Sequence, residues 1–494
     1  MSEIRLLLVK IGTKPGLESI ISHLRQILPN VKLYGITTQN VLTHSLFDTV
    51  VAKEADTTLG TYPELLSNSL YVRPELYETV KNYESALLRM CDGVALHDLT
   101  TLNRPSFSIP SFNNSSDDRQ QLVLRQLSFW DYVLQQYEID AVISANYGHN
   151  VSGFAIETVA RSCQIPILFF HEVRPFLSSL YVCESLADLD DASFGRGLID
   201  ESRSNGWNIG DSDERESLML QQAGIYYNSE NRHLTDSEKQ VTARPRSLRW
   251  IQHYSRHPLQ RLRNTLRRRM LTFNSKKEEK HVSKKTVPEK FLFIELQSQP
   301  NGTTARKGWM YPDLRELVAH ISQNLPEGQS LVVRESPRQW ARMYPRRKGF
   351  WRSIAAIPKV VVIDPTVPVQ GLINRASAVI ELSYSTLAFN AVSQGTPVIV
   401  LGHTHLRGIL GVFPVGVHDN LASVMALAEE FACRKPKQID IQQSIEGWTT
   451  ERRLSTIEGS MSFDPSIIAD QRDHIEKVAH NIAGVIAVWV LRRV

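Results

Sequence analysis

Several things are scarce or missing in this chain, and each absence narrows the reading. Four cysteines in 494 residues, Cys91, Cys163, Cys183 and Cys433, stand far apart. None of them has metal-ligand spacing with another, and the density is far below that of a disulfide framework, so reduced thiols in a reducing compartment are expected. There is no GxxxxGK[ST] phosphate loop and no GxGxxG turn, so an NTPase or a dinucleotide oxidoreductase lacks its usual support, and no cofactor is expected. His403 and His405 are separated by one residue but have no third ligand nearby, so no metal is expected either. No apolar run reaches the roughly 18 to 20 residues that a membrane-crossing helix needs. The nearest, VAHNIAGVIAVWVL at 478–491, is short and holds His480 and Asn481. The opening MSEIRLLLVKIG carries Arg5 and an apolar stretch too short for a signal-peptide core, so it reads as a first β-strand and the chain as cytoplasmic. No repeat recurs at a period of about 20 to 50 residues. Charge of one sign is scarce too. A formal net charge of +4 is small for this length, and no nucleic-acid partner is expected from it.

What is present is the balance of a globular protein, with 42% hydrophobic and 22% charged residues. The length exceeds one ordinary core, so two domains are expected. The hydrophobic period alternates between strand and helix. RLLLVKI reads as a strand. LESIISHLRQIL has Leu17, Ile20, Ile21, Leu24, Ile27 and Leu28 at helical spacing, and VKLYGIT is a second strand. LSFWDYVLQQYEI, DAVISAN, VSGFAIETVARSC and IPILFFHEV continue the alternation, with SFSIPSFNNSSDD before them as a loop. From residue 185 the chain turns polar and increasingly basic. Arg244 to Lys290 holds fifteen Lys or Arg against three Glu. That stretch reads either as a solvated helix and linker or as a patch for peripheral contact with an anionic membrane on its inner face. From Phe291 the alternation resumes through FLFIELQ, LRELVAHISQ, SLVVRES, GFWRSIAAI, KVVVIDP, VQGLINRA, AVIELS, TLAFNAVSQ and PVIVLG. The predicted fold is therefore α/β, with two Rossmann-like domains facing across a cleft. The first spans residues 1–184 and the second 291–494 with a C-terminal helix, on either side of a basic insertion at 185–290.

In open α/β sheets ligands bind beyond the carboxyl ends of the strands, so the segments just after each strand are the places to search. After SLVVRES come Arg334, Glu335, Ser336 and Pro337. After AVIELS come Ser383, Ser385 and Thr386, and after FLFIEL come Gln297 and Gln299. His149 and Asn150 follow DAVISAN. A helix starting at Ser385 or Thr386 offers free N–H groups and the positive end of its dipole, which suit a phosphate. The same residues equally suit an ordinary N-cap.

At these positions the sequence resembles the capsule polysaccharide biosynthesis family, which holds Kdo-transferase-like enzymes of the two-Rossmann-domain (GT-B) glycosyltransferase build. The resemblance runs over about residues 290–415 and, more loosely, 125–180. VRESP at 333–337 is similar to the family's VKEHP strand end, and STLAFNAVSQGTPVIVLG at 385–402 is similar to its S-T-x-x-x-E-A-x-x-x-G-x-P-V-I-x-x-G. The resemblance implies a nucleotide-sugar donor bound mainly by the C-terminal domain, with Arg334, Glu335, Ser336, Pro337, Ser383, Ser385, Thr386 and Asn390 as its binding residues. Two positions depart from the pattern: the family's His is Ser336 here, and its Glu is Asn390, so neither carries charge.

The resemblance implies a glycosyltransferase moving a hexosyl or a Kdo- or sialyl-type sugar to a surface or capsular glycan or a glycolipid acceptor. His149 in the first domain is the expected base for the acceptor hydroxyl. Two alternatives stay open: a sugar-nucleotide epimerase of the same build, and a non-catalytic scaffold of a polysaccharide assembly complex, which the two uncharged departures suggest.

Overall fold

The computed structural model describes residues 3–9, 14–37, 45–53, 116–145, 151–172, 179–185, 187–191, 193–207, 282, 286–297, 311, 313–336, 346, 349–365, 367–383, 385–453, 456–458 and 471–493. These fall into two compact units.

The first unit begins with β1 (Ile4–Val9), α1 (Lys14–Ile27), β2 (Val31–Thr37) and β3 (Thr49–Lys53). It continues with α2 (Ser116–Gln136), β4 (Ala141–Ser144), α3 (Val151–Ser162), β5 (Ile167–Glu172), β6 (Ser179–Cys183) and α4 (Ser193–Ser204). Apart from Arg5 near its start, β1 is apolar and buried on both faces, the pattern of a central parallel strand. β3, β2, β1, β4 and β5 lie in that order and pair in parallel, the doubly wound arrangement expected from the alternating period. α1 buries Leu17, Ile20, Ile21 and Leu24, with Leu28 just past its end, against Ile4, Leu6 and Leu8 of β1 and their neighbours. Two strands the sequence pattern missed, β3 and β6, lie on the outer part of the sheet, and β6 pairs antiparallel to β5. The loop expected through Asp118 ends sooner, because α2 begins at Ser116.

The second unit holds β7 (Phe291–Leu296), α5 (Leu314–Gln323), β8 (Ser330–Glu335), α6 (Phe350–Ala355), β9 (Val360–Ile363) and α7 (Val369–Ile373). Next come β10 (Ala378–Glu381), α8 (Thr386–Ser393), β11 (Val398–Val400), β12 (Val412–Pro414), α9 (Leu421–Arg434) and the first part of α10 (Gln438–Arg453), whose residues from Gly447 on belong to the first unit. Its sheet runs β12-β11-β10-β7-β8-β9, with every pairing parallel. Counted within the unit this is the order 6-5-4-1-2-3, that of a Rossmann domain. Successive residues of each strand point to opposite faces. Leu292, Ile294, Leu296, Leu331, Val333, Ala378 and Ile380 face the side packed by α5, α6 and α9. Gly395, with φ +84°, makes the left-handed turn between α8 and β11 that a side chain would strain.

The C-terminal residues 447–494, expected to complete the second domain, belong to the first unit. β13 (Thr456–Glu458) pairs antiparallel with β6, and α11 (Gln471–Arg493) packs along α1 and α4. The reason is unsatisfied apolar surface. α11 is buried at nearly every position from Val478 to Val490, and the face that receives it carries the α1 side chains named above with Leu198 and Ile199 of α4. The fit is close enough that a Cβ on Gly484 would stand 2.6 Å from the Trp207 ring. Glu184 receives Trp489 Nε1 at 2.6 Å and Arg493 Nη2 at 2.7 Å, and Glu476 accepts from Ser19 Oγ at 2.8 Å. α4 lies inside the stretch expected to separate the domains, so the first unit runs past residue 184. The basic stretch 244–290 lies almost wholly outside the described residues. Val282 is buried in the core of the second unit. Among the described residues no helix is long and apolar enough to cross a membrane.

Candidate functional site

Strand order locates the site. In the second unit the chain starts at β7 and winds outward through β8 to β9. It then returns to the other side of β7 as β10 and winds outward to β12. The order reverses between β7 and β10, and doubly wound sheets bind ligands beyond the carboxyl ends of the strands at such a reversal. The polar side chains of β7, β8 and β10 stand at that end.

Register brings three of them into one row. Ile380 pairs with Ile294 and Glu295 with Arg334, so Glu381, Glu295 and Arg334 stand side by side on one face across β10, β7 and β8. Arg334 is buried. Its Nη1 forms an ion pair with Glu295, and its Nη2 donates to the Pro365 carbonyl at 2.8 Å. An isolated surface arginine, the ordinary reading of a lone Arg, is therefore not what the fold makes of it. Glu381 is 2% exposed and forms no ion pair among the described residues. Its Oε1 accepts from Ser385 Oγ at 2.8 Å, and its Oε2 lies 3.4 Å from Gln297 Nε2. Burial pushes the Glu381 carboxyl up to about 8, and neighbouring Glu295 adds to the rise, while the Ser385 and Gln297 donors oppose it. At neutral pH this carboxyl is protonated.

On the opposite face, Glu335 is 1% exposed and sits in a guanidinium fork. Arg346 Nε reaches its Oε2 and Nη2 its Oε1, both at 2.8 Å. Arg346 Nη2 also donates to the Gln297 carbonyl at 3.0 Å, and its guanidinium lies 4.8 Å from the centre of the Phe350 ring. Burial pushes Glu335 up, and Arg346 and the Ser336 N–H, 3.0 Å away, hold it down. Arg346 thus ties the segment after β8 to the ends of β7 and β8 at once.

Ser385 is the N-cap of α8. Its backbone is extended (φ −145°, ψ 164°), and its Oγ accepts from Ala388 N at 3.0 Å. With its one hydrogen given to Glu381, the hydroxyl links β10 to the start of α8. Ser385→Ala is expected to lower stability by about 1 kcal/mol through loss of the cap, with an unchanged denaturant slope in urea unfolding. An undiminished midpoint would show that the cap contributes nothing.

Of the residues expected from sequence, Arg334, Glu335 and Ser336 stand at the end of β8 and Ser383 and Ser385 just after β10, with β7 between the two strand ends; Thr386 opens α8, its side chain lying outside the described residues. Asn390 does not join them. It lies about 7 Å further along the helix axis, where its Nδ2 donates to Gln370 Oε1 at 3.0 Å and its Oδ1 accepts from Gln394 Nε2 at 2.6 Å. His149, Asn150, Gln299 and Pro337 lie outside the described residues. His405 is buried after β11, and no cluster of metal-ligating side chains occurs among the described residues. Sequence reasoning passed over Glu295, Glu381 and Arg346. The first two carried a signal, since each is a lone charge inside an apolar strand, and a carboxylate is almost never fully buried without a partner. Arg346, among the charges of PRRKGFWR, carried none.

No protein-family model matches the chain, and no curated protein sequence matches it. Solved structures do match along its length. The UDP-GlcNAc 2-epimerase of Neisseria meningitidis, bound to UDP-GlcNAc, is 13% identical; the match covers 97% of this chain and 99% of that one, with a TM-score of 0.20. The glycosyltransferase VinC in complex with dTDP is 10% identical over 96% of this chain and 100% of that one, with a TM-score of 0.23. The UDP-GlcNAc 2-epimerase of Methanocaldococcus jannaschii, in complex with UDP-GlcNAc and UDP, is 12% identical over 90% of this chain and 100% of that one, with a TM-score of 0.26. The matched structures thus include glycosyltransferases and sugar-nucleotide epimerases. The fold class of this chain rests on its own two strand orders.

Proposed function

We propose that this chain is a glycosyltransferase of the two-Rossmann-domain class, with a nucleotide-sugar donor bound at the strand ends of the second unit and a surface or capsular glycan or glycolipid as acceptor. The observation that carries the reading is the set of polar side chains at the β7–β10 reversal, where Glu381, Glu295, Arg334, Gln297 and Ser385 gather beside the first turn of α8. The resemblance of VRESP and STLAFNAVSQGTPVIVLG to the capsule polysaccharide biosynthesis pattern falls on the same strand ends and supports it. In this reading the positive end of α8 stabilises the donor's phosphates as the sugar leaves. His149 is the proposed base that takes the proton of the acceptor hydroxyl. Asn390, turned toward Gln370 and Gln394, is left out of the donor site.

A thermal-shift panel of UDP, CDP, GDP, dTDP and CMP tests the reading. A nucleotide that binds only the folded state raises the unfolding temperature as its concentration rises. For the nucleotide that binds, Thr386→Ala is expected to weaken affinity about ten- to hundredfold in calorimetric titration, the loss of one hydroxyl bond to a charged oxygen. Equal affinity in both proteins would move the phosphate away from Thr386. Incubation with the matching nucleotide sugar then separates the alternatives. A transferase releases nucleotide with free or transferred sugar, an epimerase returns an isomer still attached to its nucleotide, and a scaffold leaves the donor intact.

A further inference from the structure

The row across β10, β7 and β8 contains two carboxyl groups and one guanidinium. Arg334 is spent on Glu295 and on the Pro365 carbonyl. Glu381, the more deeply buried of the two acids, meets only the uncharged donors of Ser385 and Gln297. Among the described residues α8 (TLAFNAVS) and β11 (VIV), which pack beside β10, have no titratable side chain; α9 carries Glu429, Glu430 and Arg434 but covers the opposite face of the sheet, and His403 and His405 follow β11. Glu295 on β7 is the charged group beside it, and Arg334 lies one strand beyond. Ionised, Glu381 would be a buried carboxylate with no cation of its own among the described residues, which is costly in a medium of low polarity. One proton on the row removes that charge.

We propose that nucleotide binding at the second unit is linked to this proton. Glu381 acts as a positioning residue that holds the Ser385 cap in the uncharged state, and the site takes up an anionic ligand only with the proton in place. The proposal rests on the donor reading given above, and it adds that the site is regulated by protonation. The physical reason is like-charge repulsion. An ionised Glu381 would set a negative charge against the Ser385 hydroxyl, one residue before the helix end where the ligand phosphates are held, and a phosphate arriving there would draw a proton back onto the carboxyl. Below the pH at which Glu381 ionises the link is silent. Above it, binding and proton uptake occur together.

Calorimetric titration of the full chain tests this, using the nucleoside diphosphate selected by the thermal-shift panel. The titration is run at pH 7.2 and pH 8.6 in two buffers of different ionisation heat. At the higher pH the nucleotide's own phosphates are fully ionised, so any proton taken up goes to the protein. Wild type is expected to take up about half a proton or more per nucleotide at pH 8.6 and little at pH 7.2. Glu381→Gln, which keeps the shape and is permanently neutral, is expected to bind at both pH values with no such uptake. Glu295→Gln provides a second arm, because losing the neighbouring negative charge lets Glu381 ionise at lower pH and carries the uptake down with it. Equal uptake in wild type and Glu381→Gln would overturn the proton link while leaving the donor reading intact. Failure of every nucleotide to bind wild type overturns both.

Discussion

Wild-type protein is expected to lose stability steeply between pH 5 and pH 8.5, and Glu381→Gln is expected to remove most of that loss. The folded-state carboxyl ionises near 8, against 4.5 for the unconstrained group. Between those values the folded protein keeps a proton that the unfolded chain has released. Stability from this group is therefore fully present below about pH 4.5 and declines as pH rises toward 8. The gap between the two values corresponds to about 5 kcal/mol at its full extent. The amide cannot ionise, keeps the Ser385 hydroxyl as a donor to its oxygen, and takes no part in the slope. Near pH 5 the two proteins should be of similar stability, and above pH 8 the variant should be the more stable by several kcal/mol. Urea unfolding across this range measures it. The difference between the two pH slopes is the informative quantity, because all other titrating groups contribute equally to both. Parallel slopes would mean that Glu381 ionises normally in the folded protein.

How far such a site can be read from sequence depends on which physical signal each residue leaves. The second unit's strands β7, β8 and β10 announce themselves because, up to the charges at their carboxyl ends, they are apolar on both faces, and parallel pairing under two layers of helix demands that composition. The position of Ser385 was legible too, since a small hydroxyl residue between a buried strand and a helix is an N-cap signature. The first unit's outer strands β3 and β6 are short and only partly apolar, and β13 pairs with β6 across more than 270 residues of chain, a distance that no local pattern encodes. The placement of α11 failed for the same reason. Its apolar length shows that it must be covered, and nothing in it says which sheet has a face to spare. The buried acids were half legible. Glu295 and Glu381 stand out as charges within strands, yet only the register that sets Glu381, Glu295 and Arg334 in one row shows that one acid is left without a cation.

Arg346→Ala is expected to be the most damaging single change in the second unit, and its cost should grow with pH. The fork holds a carboxylate that is 1% exposed, through two bonds of 2.8 Å. Removing it leaves, among the described residues, the Ser336 N–H as the group that still holds the Glu335 carboxyl down, and deprives the Gln297 carbonyl of a donor. Breaking one side of a buried ion pair typically costs about 3 to 5 kcal/mol, most of it the burden of the stranded charge. With Arg346 gone, burial raises the Glu335 carboxyl further. A proton can then relieve the stranded charge at low pH, so the loss should be small near pH 4.5 and reach its full size only when the unfolded chain has ionised and the folded chain resists. Lysine at 346 keeps the charge but cannot form the planar fork, so Arg346→Lys should fall between wild type and alanine. Adding Glu335→Gln to Arg346→Ala removes the charge that the alanine variant strands, and should restore more than half of the lost stability at pH 8. The coupling between the two sites, taken from a double-mutant cycle in urea unfolding at pH 5 and pH 8, is the measurement that decides. A coupling below about 1 kcal/mol at pH 8, or one that does not change with pH, would reduce the fork to an ordinary surface-strength pair. A coupling that rises with pH identifies Arg346 as the group that keeps the ends of β7 and β8 in place beside the row that holds Glu381.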